Sequence, residues 1–437
     1  DYISMELIKM KKNTPDSMYF DENLLAEVRR KFCRIDTDAD GSRRLFFENA
    51  GGSLRLQSVV DISNELNQYP DCFARDHRSS KVLHAYEERG REDFRTLVNA
   101  KDGAVATALT ASMLMFRMVG PIVAAAEGKN IVTTVLEHPS AFDSCRYFAA
   151  KYDKEVRVAD SDKRTGGVSS ENVLNLVDRD TLMLNVTSAS NMTGAMTDLE
   201  TIIREARSIN PDIYIVTDAV QHAPHGVLDV EKLGIDALNL APYKFFGNRG
   251  ISFGYVSDRV KKLPHPHILA DGDDAWETGS IVPAHYAAMS EIVNYIAWIG
   301  EHFTDAQDKR KLVEEGMDRI HMQEQALLAR MLHGADGNSG LLTMDGVDTF
   351  FDYSDLANRD LILAMKLDDH GFFETTREYE KRGIIVYERV AESEYSRRMV
   401  ESFGLKGIIR VSPLHCNSFA EVDEFLDVTR EIIALKR

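Results

Sequence analysis

Between about residues 95 and 265, short apolar runs rich in β-branched residues alternate with amphipathic segments, and this alternation restricts the fold more than any other feature. "KNIVTTVLEH", "TLMLNVTS", "DIYIVTDAV", "DALNLA" and "GISFGYVSD" read as strands. "TDLETIIREARSIN" and "VEKLG" read as helices, the first capped by Thr197 or Asp198 and closed before Asn210-Pro211. Strands alternating with helices predict an α/β fold, with a mostly parallel central sheet and helices on both faces. From about 285 two long helical patterns, "PAHYAAMSEIVNYIAWIGEHF" and "DKRKLVEEGMDRIHMQEQALLARMLHG", give way to shorter strands mixed with helices. The expected division is a large domain over 45–284, a smaller α+β C-terminal domain over 285–437, and an N-terminal segment, 1–44, packing on the small domain.

Composition excludes several classes. Apolar residues make up 44% and charged residues 28%, as in globular proteins with a sizeable core. A formal charge of −18 argues against nucleic acid, because no clustered Lys/Arg meets a phosphate backbone. Cys33, Cys72, Cys145 and Cys416 form no CxxC pair, so neither a zinc site nor a disulfide framework is expected, and the cysteine usage suits the cytoplasm. No run reaches the ~18 apolar residues of a membrane span, and "DYISMELIKMKKNTPD" has no signal-peptide core.

In sheets of this kind ligands sit beyond the carboxyl ends of the strands. There the chain places His138, Asn191, Asp218, Gln221 and Lys244. A strand-end lysine is often only a surface cation, and an aspartate there often only a cap. Together, however, an amine, an acid and an aromatic ring are what pyridoxal phosphate requires. The lysine attaches the cofactor as a Schiff base, the acid keeps the ring nitrogen protonated, and a flat side chain covers the ring. "TALTASMLMF" opens a helix at Thr110, Ala111 and Ser112, whose free N–H groups are a candidate phosphate cradle.

The segment "VTDAVQHAPHGVLDVEKLGIDALNLAPYKFFGNRGISFGYV" resembles the class V aminotransferase, cysteine desulfurase-like family of fold type I pyridoxal-phosphate enzymes. The similarity runs from "LFFENAGG" to "IIRVSPLHCNSFAEVDEFL". The resemblance implies that Lys244 holds the cofactor and moves protons at the substrate's α-carbon. It also implies that Asp218 meets the ring nitrogen, that Gln221 meets the ring hydroxyl, and that His138 stacks on the ring. Asn191 and Arg410 would bind the carboxylate of an α-amino acid. Ser280 would reach the phosphate of a neighbouring subunit, making a homodimer with shared active sites. His222 and His225 are not needed by the pattern and are read as structural or peripheral.

Two departures narrow the chemistry. Ala241-Pro242-Tyr243 stands where desulfurases carry Ser-Gly-His, and the Tyr243 hydroxyl is the candidate replacement for the lost phosphate donor. The stretch "YERVAESEYSRRMVESFGLKG" contains no cysteine where desulfurases keep a nucleophilic thiol. Without a thiolate near the substrate's γ-atom no persulfide forms. The expected activity is therefore lyase or elimination chemistry at Cβ without a loop cysteine. Amino-acid racemisation or epimerisation, transamination and cysteine desulfuration are the alternatives. Two non-enzymatic readings are a scaffold and a calcium-binding protein. "DTDADGSRRLFFE" places Asp36, Asp38, Asp40 and Gly41 at EF-hand spacing, but its twelfth position is Phe47, and Arg43 and Arg44 lie inside the loop, so a polar turn with no metal is favoured. Arg43, Arg44, Arg75, His77 and Arg78 are candidates to line the substrate mouth.

Overall fold

The computed structural model describes residues 19–72, 75–335 and 337–435. Its centre is a sheet of seven strands: β1 (Ala104–Ala108), β2 (Asn130–Thr134), β3 (Glu155–Ala159), β4 (Thr181–Asn185), β5 (Tyr214–Asp218), β6 (Ala237–Leu240) and β7 (Ser252–Val256). The order across the sheet is β1-β7-β6-β5-β4-β2-β3. All neighbours run parallel except β7, which is antiparallel to both β1 and β6. The connection between Leu240 and Ser252 is too short for a helical crossover, which needs a dozen residues or more, so β7 returns antiparallel.

The faces are covered as the alternation requires. On one side α4 (Ala111–Ala125) and α5 (Pro139–Lys151) bury Leu114, Met115, Met118, Ile122 and Cys145 against Ile131, Val216 and Val256. The helix read from "TDLETIIREARSIN" is α6 (Leu199–Ile209), and Asp198 caps it by accepting from the Thr201 N–H at 3.0 Å. A helical layer holds α2 (Gln57–Leu66), α3 (Arg78–Val98), α7 (Pro283–Glu301) and α8 (Lys309–His333). At the crossing of α7 and α8 a Cβ on Gly316 would lie 2.0 Å from the Ile296 carbonyl oxygen, so this approach needs glycine.

A second, antiparallel sheet has the order β8-β9-β11-β10, from β8 (Val347–Asp348), β9 (Leu363–Leu367), β10 (Tyr387–Val390) and β11 (Gly407–Val411), packed on α9 (Phe372–Glu380), which with α8 in turn meets α10 (Phe419–Ala434). The early chain is tied to this region. In α1 (Glu22–Arg30), Arg29 donates to Glu421 at 2.8 Å and to the Cys416 carbonyl at 3.0 Å. Leu45 and Phe46 pair in parallel with Ile384 and Ile385, and Glu48 bridges Ser412. Of the proposed N-terminal segment, residues 1–18 lie outside the described residues. Among the described residues no helix is long and apolar enough to cross a membrane.

Candidate active site

The carboxyl ends of the central strands converge on a cavity of about 270 Å³ lined by His138, Asn191, Asp218, Gln221, Tyr243 and Lys244, together with Thr110, Ala111 and Ser112. Each arrives by a local rule. Asp218 is the last residue of β5. His138 lies four residues beyond β2 and caps α5, its Nδ1 accepting from the Ser140 N–H at 3.2 Å. Thr110 caps α4 by accepting from the Met113 N–H at 3.1 Å, which leaves the first amides of that helix at the cavity wall.

Lys244 is placed by a 3₁₀ turn, Pro242–Lys244, one residue beyond β6. Pro242 pre-sets the turn, and its carbonyl accepts from the N–H groups of Phe245 and Gly247, both at 2.8 Å. Phe246 then takes a left-handed backbone, φ 61°, unusual for a bulky side chain. Its buried ring meets Phe32 at 5.6 Å, His415 at 5.2 Å and Tyr295 at 5.9 Å, edge to face, so packing sustains the strained turn.

Charge in the cavity is finely balanced. Burial, and then Arg410, push the Lys244 amine down to about 8, while Asp218 and Glu48 act in the opposite sense. Among the described residues its ammonium group makes no hydrogen bond or ion pair; it faces the cavity. Burial raises the Asp218 carboxyl above its ordinary range, partly offset by the Val220 N–H at 3.0 Å and by Lys244. His138 is held down to about 3 by burial and by Lys244, so the ring is neutral with its proton on Nε2.

Several buried polar atoms have no partner: Gln221 Oε1, Asn191 Oδ1, Arg410 Nε and Arg389 Nε. Buried orphans of this kind are rare and call for a ligand or a water. A free amine, a carboxylate, a neutral ring, helix-terminal amides and unpaired amide oxygens together match the polar periphery of pyridoxal phosphate, so the residues fit that group.

Other expectations meet the structure differently. Ser280 is exposed in a separate cavity of about 760 Å³, which touches the first only along Leu109, Gly250 and Ile251, so it does not join the site of its own chain. Arg410 is buried on β11, donating to the Asn191 carbonyl at 2.9 Å, but its other arm is taken by Glu48 at 2.7 Å. Arg43, Arg44, Arg75, His77 and Arg78 do not line the cavity: Arg43 pairs with Glu424, and His77 caps α3. His222 and His225 are engaged by buried carboxylates, Asp360 at 3.0 Å and Glu324 at 2.7 Å. In the 36–48 segment Asp40 is used by Ser42 at 2.8 Å within a tight turn, and Thr37 pairs with Arg43.

Four site residues were missed. Arg249 lies five positions beyond Lys244, lines the cavity, and stacks its guanidinium 3.9 Å from the Tyr243 ring centre. Thr187 lines it as well, and Glu48 and Arg389 act on Lys244 electrostatically. "KFFGNRG" offered a signal for Arg249, a cation just after the lysine turn. No local signal marks Glu48 or Arg389.

No cysteine among the described residues lines the cavity. Cys145 and Cys416 are fully buried, and burial drives both thiols well above their ordinary range. The family model for aminotransferase class-V matches residues 45–425.

The chain belongs to the class-V aminotransferase family. It is a pyridoxal-phosphate-dependent enzyme of fold type I. Over 325 residues this class-V enzyme is 24% identical to a probable cysteine desulfurase of Borreliella burgdorferi, covering 67% of this chain and 74% of that protein. It is 30% identical to the cysteine desulfurase IscS of Dictyoglomus turgidum over 141 residues, 32% of this chain and about a third of that protein, 35%. Among solved structures, the apo cysteine desulfurase of Thermococcus onnurineus NA1 superposes with a TM-score of 0.77 at 19% identity, over 94% of this chain and 98% of the other. Escherichia coli CsdA, another cysteine desulfurase, gives 0.76 at 18%, over 95% and 99%. These two likenesses concern the fold.

Proposed function

We propose that this class-V enzyme acts on an α-amino acid by elimination or lyase chemistry at Cβ, without a thiolate of its own. The observation carrying this reading is the composition of the cavity wall: an amine, a carboxylate and an imidazole, with Cys416 buried elsewhere and held as a neutral thiol. When bound, pyridoxal phosphate supplies an electron sink for negative charge at the substrate's α-carbon.

The chain's residues divide the remaining work. Lys244, with its amine lowered to about 8, holds the cofactor and exchanges a proton at Cα near neutral pH. Asp218 carries the negative charge that keeps the ring nitrogen protonated, and Gln221 meets the ring oxygen. His138, neutral at working pH, covers the ring face without adding a positive charge. The first turn of α4, at Thr110, Ala111 and Ser112, receives the phosphate, with Tyr243 as an added donor and Arg249 behind it. Asn191 and Arg410 orient the substrate carboxylate. We place the large domain at 45–284, the small domain at 285–437 and the docking segment at 1–44. The exposed Ser280 serves the site of a second copy in a homodimer.

A second reading is cysteine desulfuration, favoured by the names of the sequence relatives. It requires a thiolate at the substrate sulfur. The deciding experiment compares wild type, Lys244→Ala and Cys416→Ser, all supplied with cofactor. Wild type and Cys416→Ser should both develop a visible absorption band and release the Cβ substituent from the amino acid that shifts it, whereas Lys244→Ala should do neither. Loss of sulfur release in Cys416→Ser, with the fold intact by circular dichroism, would establish the desulfurase reading instead.

A further inference from the structure

Glu48 and Arg410 lie 362 positions apart in sequence, yet their side chains share a largely buried ion pair at 2.7 Å, the arginine side almost fully enclosed. Glu48 is not a mobile surface acid. Its Oε2 accepts from the Gly51 N–H at 3.0 Å, and it folds so closely over that glycine that a Cβ there would sit 2.6 Å from both carboxylate oxygens. Its side chain is only 13% exposed.

A second guanidinium belongs to the same group. Tyr387 of β10 pairs with Arg410 of β11, and Arg389 lies two residues along β10, so all three side chains leave the same face of the sheet. Arg389 donates to the Tyr395 carbonyl at 3.0 Å, and its buried Nε has no partner. Burial and Arg410 hold it down to about 10, while Glu48 opposes them. None of Glu48, Arg389 and Arg410 lines the cavity wall, but each acts electrostatically on Lys244, so two cations and one anion lie beside the lysine, with an unpartnered Nε on each arginine. Buried charges demand compensation, so a surplus of one positive charge matches one incoming carboxylate.

We propose that Glu48 is a specificity-determining residue that sets the charge of the accepted substrate: by neutralising one guanidinium, it leaves room for the α-carboxylate and rejects a second carboxylate on the side chain. The inference rests on the reading of this cavity as an amino-acid site. It predicts that removing the charge of Glu48 creates a surplus of two cations and a site for dicarboxylates. Removing Arg389 instead leaves Arg410 balanced by Glu48, and even one carboxylate then binds poorly.

The test uses the cofactor-loaded protein and two unreactive probes, propionate and succinate, with dissociation constants from calorimetry. Wild type should prefer propionate. Glu48→Gln should move the ratio toward succinate by ~10-fold or more, whereas Glu48→Asp, which keeps the charge, should retain the wild-type preference. Arg389→Gln should weaken propionate by ~10-fold and gives an answer even where Glu48→Gln fails to fold. An unchanged probe ratio in Glu48→Gln, a parallel shift in Glu48→Asp, or unweakened propionate in Arg389→Gln would each overturn the role of Glu48. The visible band recorded in the same samples separates the two failures: a wild type that takes up no cofactor overturns the site reading and this inference with it.

Discussion

Lys244 sits where a cation is costly, and the cost gives its titration a sign. Its folded value of about 8 lies below the ordinary 10.5. Below about 8 the amine is charged in both folded and unfolded states, and the folded state bears the penalty of burial. Between about 8 and 10.5 the unfolded chain keeps the proton and the folded chain releases it, so stability rises with pH through that window. In cofactor-free protein, Lys244→Met should lose that rise, by on the order of 1–2 kcal/mol once the opening of the cavity to water is allowed for. Urea unfolding of both proteins at either end of the window measures it, and parallel curves would count against the assignment. Acid should act through His138, whose value near 3 lies below the ordinary 6.5. Below pH 6.5 the unfolded chain gains a proton that the folded ring refuses, so stability falls as pH drops toward 3. His138→Asn keeps a capping side chain for α5 and should flatten the acid limb of a melting-temperature profile.

Among the secondary elements, α4 has the clearest double duty. Its Thr110 cap satisfies one amide and leaves its neighbours for an anion. Thr110→Ala should cost about 1 kcal/mol of stability. It should also weaken cofactor uptake, read from the visible band at limiting cofactor, whereas a cap on a helix far from the cavity, such as Asp198 on α6, should affect stability alone. The same contrast explains what could be read from sequence. Asp218, Gln221, His138, Asn191 and Lys244 were legible because a strand's end is a local feature, and the alternating fold turns local ends into a common site. Thr110 was legible as a cap. Arg410 was found only through the family pattern. Glu48 and Arg389 were hidden because their meaning comes from pairing between distant segments, Glu48 beside Ser412 and Tyr387 opposite Arg410. The antiparallel turn of β7 was also unread, since run and pattern do not tell a strand's direction.

The whole molecule presents an apolar flank beside the cavity. Leu109, Met113 and Tyr147 are exposed by 65%, 53% and 57%. Exposed apolar side chains of this size on a chain of charge −18 are expected to be covered by another copy, in keeping with the proposed role of Ser280. Sedimentation equilibrium should return twice the mass of 49.2 kDa. Met113→Lys should shift the protein toward monomer and lower activity in proportion, and a fully active monomer would refute shared sites.

The support beneath Phe246 has one more consequence, which concerns time. A ribosome that has emitted Val256 has already delivered every strand of the large sheet. Tyr295, which braces the lysine turn, has not yet been made, nor have Arg410 and His415. The strands of the scaffold are thus delivered before the residues that finish its reactive corner. A nascent chain organised in this way completes its lysine corner only after the second sheet has been made.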